Sequence, residues 1–423
     1  MGEDVSGDHL SHIDAASWPG VAAVPAPPLI RLKARAAEAG FARACQAAGV
    51  ELDPDEGADL TVDHEELFAR LAAGGWVGLL ESYLAGEWRA EDLAGVLEAL
   101  LRAGYQPSRR RLKAGEATGG ALPPRLVALC STDGASHFFG RFASSVGTSV
   151  RETLPAAGRE EPRRFVERTR YSRPVDVARA DLGEAQRRAA ESLLDLARVR
   201  PGSHLLELPA SGGVLAGLAA RRQATVDVLS ADEASLEALR ERLVLDGVGD
   251  QVHAEHVDAA VPRGVPGRFD AVVSIEYLET LSPKQRRRFF RFLDHVVGPR
   301  GEVALQSVVR GAALGAAGEA ALDGLRAYIW PGLSYPSDGE VYRLVDQDTG
   351  LRLVEEHRLD VHAEETLRLQ AELFRARRRE AAAAGFDVVF RRLWDFQYAL
   401  RLALVRIGAL EARQWRLVRR RPR

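Results

Sequence analysis

The chain has 423 residues, 46% of them hydrophobic and 28% charged, an ordinary globular balance with length for two or three domains and a sizeable core. A formal net charge of −3 offers no field for nucleic acid, and Cys45 and Cys130 stand too far apart for a CxxC pair, so neither a disulfide framework nor a metal centre is expected. No apolar run reaches the length of a membrane span, and the opening MGEDVSGDHLSHID is acidic and polar, unlike a signal peptide, so a cytoplasmic protein is expected.

Residues 1–28 are polar and end in VPAPPL, which reads as a flexible arm. Residues 29–48 have helical periodicity. In 62–104, Asp63 is placed as an N-cap with Glu66 at the capping-box spacing, and Gly74-Gly75 interrupts the helix. Residues 29–104 therefore read as a small helical domain, and 105–125, rich in Gly, Pro and basic residues, as a linker. From about 182 onward helices and short apolar strands alternate: GSHLLEL, ATVDVLSAD, VHAEHVD, RFDAVVSIEYLETL and GEVALQSVV are the strands. Such alternation predicts an α/β fold with a doubly wound, mainly parallel sheet, helices on both faces and right-handed crossovers. Ligands then bind beyond the carboxyl ends of the strands, here residues 207–213, 229–233, 258 and 274–280. The last hundred residues add a charged helix near 364–384 and an aromatic, apolar one, FDVVFRRLWDFQYALRLALVRIGAL.

The first strand ends at Glu207, and the turn LPASGG follows it. Backbone amides at such a turn and the helix N-terminus behind it face a nucleotide cofactor, and glycine permits close approach. Ser211, Gly212 and Gly213 are the cradle candidates. Glu207 and Asp232 or Glu233, at the ends of strands one and two, are placed to hold an amino group or ribose hydroxyls, and Asp258 to meet an adenine amino group. With no G-x-G-x-x-G present, S-adenosylmethionine suits the loop better than a dinucleotide. The alternative is a turn that merely joins strand to helix.

Five segments, in order, resemble the cyclopropane-fatty-acid synthase family, which includes the mycolic acid cyclopropane synthases: GGWVGLLESYLAGEW, RYSRPVDVARADLGEAQRRA, GRFDAVVSIEYLETL, AYIWPGLSYPSDGEV and LWDFQYALRLALVRIGALEARQWRL. The resemblance implies a class I methyltransferase (Rossmann-like) domain over 126–423 with helical lid insertions, the small helical N-terminal domain before it and the C-terminal helical additions. It implies S-adenosylmethionine as cofactor and methyl transfer to the double bond of an unsaturated phospholipid or other acyl chain, giving a cyclopropane or a methyl branch. The family's glycine loop, D/E-x-G-C-G-W-G, is here Glu207-Leu208-Pro209-Ala210-Ser211-Gly212-Gly213, with proline and serine at two of its glycines. Proline donates no N–H and fixes φ, so it is not expected to reproduce a glycine conformation. STDGASHFF matches the family's H-Y-D-x-x-N-D-F-F and retains Asp133, with Ser131, Thr132 and Ser136 replacing His, Tyr and Asn.

In the family a caged bicarbonate is thought to take the proton that closes the ring. The resemblance places that cage at Glu279, retained, and at Arg173, Gln306 and Ala363, where Cys, His and Tyr are lost; His362 beside Ala363 is kept, and by itself it reads as a surface histidine before a catalytic one. Arg173 is itself suited to hold an anion. Three readings stay open: a lipid methyltransferase with a variant site; a non-catalytic relative that binds lipid or partners an active synthase; other chemistry on a natural-product substrate. A flavoprotein that reduces a methylated product and a homodimer are further candidate partners. The basic clusters Arg109–Arg111 with Lys113, and Arg416 with Arg419–Arg421, offer transient contact with anionic headgroups at the inner membrane face. Trp330, Trp394, Phe396 and Tyr398 read as core before lipid pocket.

Overall fold

The computed structural model describes residues 8–26, 29–52, 57–107, 122–143, 149–155 and 165–420. The basic residues 109–113 and Arg421 lie outside them. The chain forms two compact units, the first from 1–114, 312–331 and 374–409, the second from 115–311, 332–373 and 410–423. Among the described residues no helix is long and apolar enough to cross a membrane.

The first unit is helical: Ile30–Ala48, Glu66–Gly74, Trp76–Ala85, Leu93–Arg102, Ala316–Tyr328 and Val388–Arg406 are its longer helices. Gly75, at φ 59°, breaks the chain between two of them, as the Gly-Gly pair predicts. A two-stranded ribbon, β1 (Thr61–Val62) with β2 (Trp88–Arg89), runs antiparallel. The expected cap at Asp63 is not made. The Asp63 and His64 amides donate instead to the Glu87 carbonyl at 2.9 and 3.0 Å, so the helix begins three residues later, at Glu66. The stretch expected to be an arm is held in this unit. The buried Arg70 guanidinium donates to the carbonyls of Gly20, Val21 and Ala23 and pairs with Glu87 at 2.8 Å, and Trp18 Nε1 donates to Asp387 at 2.7 Å. Trp394, Phe396 and Tyr398 are buried, with Trp330 6.1 Å from Trp394, as a core stripe should be.

The second unit is built on one sheet. Its strands are β3 (Ser149–Pro155), β4 (Phe165–Tyr171), β5 (His204–Glu207), β6 (Thr225–Ser230), β7 (Val252–His256), β8 (Phe269–Ile275), β9 (Val297–Arg310), β10 (Leu351–Arg358) and β11 (Leu410–Arg419). Their order is β3-β4-β10-β11-β9-β8-β5-β6-β7. The five strands read from the sequence, β5 to β9, are mutually parallel. Apolar clusters cover both faces, one around Leu193, Leu205, Val226 and Leu239, the other around Leu206, Phe289, Phe290 and Trp415. The other half was not read from the sequence: β11 is antiparallel to β9 and to β10, and a β3–β4 hairpin extends the edge.

Arg286 clips the loop after β8 in place. It is 2% exposed, donates to the Leu278, Leu281 and Ser334 carbonyls and pairs with Glu340 at 2.9 Å. Arg286→Met removes a donor from three carbonyls, those of Leu278 and Leu281 in buried contacts, and leaves a carboxylate without its partner. It should lower stability by ~3 kcal/mol, read as a shift of the urea midpoint at unchanged m-value.

Candidate functional site

Strand order reverses at β5, which lies between β8 and β6, so a ligand crevice is expected beyond its carboxyl end. Glu207 closes that strand. It is 1% exposed, and its Oε1 accepts from the Ser211 amide at 2.8 Å and the Ser211 hydroxyl at 2.6 Å. Its Oε2 is buried with no partner. Burial pushes the carboxyl up to about 7 against the opposing bonds from Ser211. The Leu208–Pro209 peptide is cis, and only Gly212 and Gly213 in the turn have positive φ, 85° and 93°. Pro209 and Ser211 therefore stand where the backbone needs no glycine, which corrects the conformational objection to Pro209. Gly212 is required by contact as well: a Cβ there would lie 2.1 Å from the Ala135 carbonyl oxygen.

Ala135 belongs to the segment that carries Asp133. The Asp133 carboxylate accepts from the Ala135 and Ser136 amides at 3.0 and 2.8 Å and from the Ser136 hydroxyl at 2.7 Å, with Arg242 at 3.4 Å. Burial raises its pKa, but these bonds and Arg242 outweigh it and hold the group below the usual range. Asp133 thus shapes its own loop against Gly212. Asp232 caps the helix Glu233–Leu245 through the Ala234 amide and accepts from Ser235. Glu233 is exposed and pairs with Arg240 at 2.8 Å, and Asp258 is fully exposed. Of the cofactor candidates, Glu207, Ser211, Gly212, Gly213 and Asp133 come together. Asp232, Glu233 and Asp258 follow β6 and β7.

Beyond β8 the chain supplies two acids. Glu279 is 6% exposed; its Oε2 accepts from the Ser307 hydroxyl at 2.6 Å and its Oε1 from the Val308 amide at 3.2 Å. Burial, then the neighbouring Glu276 charge, push its carboxyl upward. Glu276 was not singled out from the sequence, although SIEYLET shows an acid directly after the strand. Its backbone is left-handed at φ 48°, a conformation held only by its surroundings. Its Oε1 accepts from the Phe139 amide at 2.6 Å and from Gln306 Nε2 at 3.0 Å. Gln306, 1% exposed, also donates to the Phe139 carbonyl at 2.9 Å and accepts from Gln414 Nε2 at 2.8 Å. All three hydrogen-bonding positions it uses are taken by protein, and an amide titrates no proton near neutrality, so Gln306 positions Glu276 rather than acting as a base.

Two other expectations change. Arg173 is not placed as an anion holder: its side chain is 56% exposed and pairs with Glu364 at 2.6 Å. His362 is no surface histidine. It is 2% exposed, and its Nδ1 accepts from the Phe142 amide at 3.1 Å. Burial, then Arg141, push its pKa down to about 4, so the ring is neutral with its proton on Nε2. That Nε2 is buried without a partner, as is Arg141 Nε. Both side chains lie against Tyr171, the His362 ring edge-on at 5.8 Å and the Arg141 guanidinium 5.4 Å from the ring centroid. Ala363 brings no polar atom. The basic C-terminal cluster is neutralised internally: Arg416 pairs with Glu302 and Glu355, Arg419 with Asp294 and Arg420 with Asp346.

Sheet order, switch point and acidic strand ends define an enzyme of the class I methyltransferase type. The mycolic acid cyclopropane synthetase model matches residues 170–415. Tuberculostearic acid methyltransferase UfaA1 of Mycobacterium tuberculosis is 31% identical over 423 residues, 97% of each chain. Cyclopropane-fatty-acyl-phospholipid synthase of Escherichia coli is 23% identical over 265 residues, 62% of this chain and 63% of that one. The cyclopropane synthase MmaA2 of Mycobacterium tuberculosis shares the fold, with a TM-score of 0.50 at 21% identity over 57% of this chain and 86% of that one. The chain belongs to the mycolic acid cyclopropane synthetase family.

Glu207 gives a pH prediction. Its folded pKa of about 7 lies above the ordinary 4.5, so the folded state holds the proton more tightly than the unfolded chain does. Its contribution is complete below pH 4.5 and lost as pH rises through 7, about 3 kcal/mol in all. Glu207→Gln should flatten the fall in Tm over that window relative to wild type. An unchanged slope removes Glu207 as its source.

Proposed function

We propose that this enzyme transfers a methyl group from S-adenosylmethionine to the double bond of an unsaturated acyl chain and leaves a methylene or methyl branch in place of a closed ring. The observation that carries the reading is the pair of buried carboxylates, Glu207 and Glu279, at the ends of β5 and β8, with the half-buried Glu276 beside Glu279. Family membership and a full-length relative named a methyltransferase support it.

The residues fit the cofactor at one place above all. The unpartnered Glu207 Oε2 is an acceptor for an amino group, beside the two left-handed glycines that open the helix Val214–Arg221. When bound, the cofactor supplies an electrophilic methyl on a sulfonium. The bicarbonate cage does not fit: Gln306 is committed to protein partners, Arg173 is paired at the surface, and Ala363 cannot hydrogen-bond through its side chain. No step is therefore routed through bicarbonate.

Transfer of that methyl to the alkene π pair, with the sulfur keeping the electrons of the broken bond, would leave the adjacent chain carbon cationic. A hydride shift moves the charge to the methyl-bearing carbon. Loss of a proton from that methyl would then give a branching methylene, C=CH2, on the open chain, with Glu279 the proton acceptor. A buried carboxylate with raised pKa suits that task. Reduction to a methyl branch would fall to a separate flavoprotein supplying a hydride and a proton.

Calorimetry with S-adenosylmethionine comes first. Binding should be seen for wild type and Glu279→Gln alike, and no heat at millimolar cofactor returns the chain to a non-catalytic, lipid-binding role. Wild type should then add one CH2 to a monounsaturated phospholipid, and ozonolysis should cleave the product at the new carbon. With no reductant added, a product resistant to ozone is a ring and overturns the branch alone. Glu279→Gln should lower turnover by roughly 100-fold or more; full activity removes Glu279 as the base.

A further inference from the structure

The first unit holds a cluster that no sequence spacing revealed. His9, from a short turn of helix at Asp8–Leu10, lies on His64 with ring centroids 3.8 Å apart and planes 10° from parallel. His64 stands two residues before Glu66, where the diverted amides of Asp63 and His64 fix the chain. One ligand atom each of His9, His64 and Glu66 lies within 4.8 Å of the others, and all three side chains are half-buried.

A second observation comes from Glu87. Its side chain is fully buried, and its Oε1 lies 3.6 Å from His9 Nε2. Arg70 takes Oε1 at 2.8 Å, while Glu87 Oε2 and His9 Nε2 are both buried without a hydrogen-bond partner. Unpaired buried polar atoms cost roughly 1–3 kcal/mol each. Two of them on neighbouring side chains, His9 and Glu87, with His64 and Glu66 beside His9, mark a place where a ligand would satisfy both.

We propose that His9, His64 and Glu66 bind a divalent transition metal of the Zn2+ type, with Glu87 as the further carboxylate. Imidazole nitrogen with carboxylate oxygen is a zinc donor set. Tetrahedral coordination at bond lengths of about 2.0–2.2 Å brings ligand atoms closer than they now stand, a movement within reach of side-chain rotation at half-buried positions. Two opposing effects are met by the same residues. The Arg70 guanidinium and the N-terminus of Glu66–Gly74 both repel a cation, and the Glu66 and Glu87 carboxylates offset them. The metal would staple the N-terminal segment to β2 and to the helix at Glu66, in series with the Arg70 contacts to Gly20, Val21 and Ala23. The role is structural and independent of the methyl-transfer reading.

Tag-free full-length protein, stripped with a chelator, is titrated with Zn2+ against a chromophoric competitor. One equivalent should bind and raise Tm. Glu66→Gln and His64→Ala should each weaken binding at least tenfold, and His9→Ala/His64→Ala should abolish both the binding and the Tm rise. The control His253→Ala/His256→Ala, at exposed histidines of β7, should match wild type. Wild type that binds no more zinc than His9→Ala/His64→Ala overturns the proposal, as does loss of the equivalent in the control alone.

Discussion

The candidate site depends on one buried amide. Gln306 sits on β9 where the parallel half of the sheet meets the antiparallel half. Its oxygen accepts a hydrogen bond from Gln414 Nε2 on β11, and its nitrogen donates to Glu276 and to the Phe139 carbonyl. The chain continues through Gln414 Nε2 to the Ala189 carbonyl and through Gln414 Oε1 to the Ser192 hydroxyl. In a low-dielectric interior such a network is stabilising only if every member is satisfied. It also holds Glu276 in a left-handed backbone that no isolated glutamate prefers. The Gln306 carbonyl completes the clamp by accepting the Glu276 amide at 2.7 Å. The residue that replaces the family's cage histidine thus fixes an acid at the end of β8.

That clamp gives the crevice its electrostatic character. Glu207 and Glu279 are buried with pKa values pushed upward, and Glu276 adds a like charge beside Glu279. A buried carboxylate without a cation is expensive in its charged form. A ligand that brings positive charge relieves that cost, and both the sulfonium and the ammonium of S-adenosylmethionine do so. Arg141 and His362 offer the opposite polarity, with buried N–H groups that lack acceptors. The second unit therefore presents acceptors at the ends of β5 and β8 and donors around Tyr171. That arrangement suits a zwitterionic ligand better than a purely apolar one.

The parallel half of the sheet was legible because β5, β6 and β8 are apolar runs between helical repeats, as strands buried on both faces must be. The Glu207 turn was legible for the same reason, since it sits at the end of such a run, whereas Glu279 was marked out by the family resemblance and Glu276, directly after β8, was not. The antiparallel half was hidden by charge. LEARQWRLVR reads as a solvated basic segment, yet Arg413 is fully buried against Asp360 and Glu411, and Arg416 pairs with Glu302, 114 residues away. Periodicity cannot show a strand whose inward residues are ion-paired arginines. Neither can it show that 312–331 and 374–409 join the N-terminal helices. The His9–His64 stack escaped notice for the related reason that its members are distant in sequence and share no metal-ligand spacing.

The eroded turn LPASGG takes on a different meaning in three dimensions. A glycine loop serves a cofactor in two separable ways: it adopts left-handed conformations, and it leaves room for the ligand. The left-handed positions here are Gly212 and Gly213, and both glycines are present. What Pro209 removes is one N–H, and what Ser211 adds is a hydroxyl that binds Glu207 Oε1 together with its own amide. The serine thus turns part of the acid inward and leaves a single oxygen for a ligand. The loop has one backbone donor fewer and holds its carboxylate at one end. Affinity for the cofactor's amino group should therefore rest on Glu207 more heavily than in a loop that keeps all its glycines.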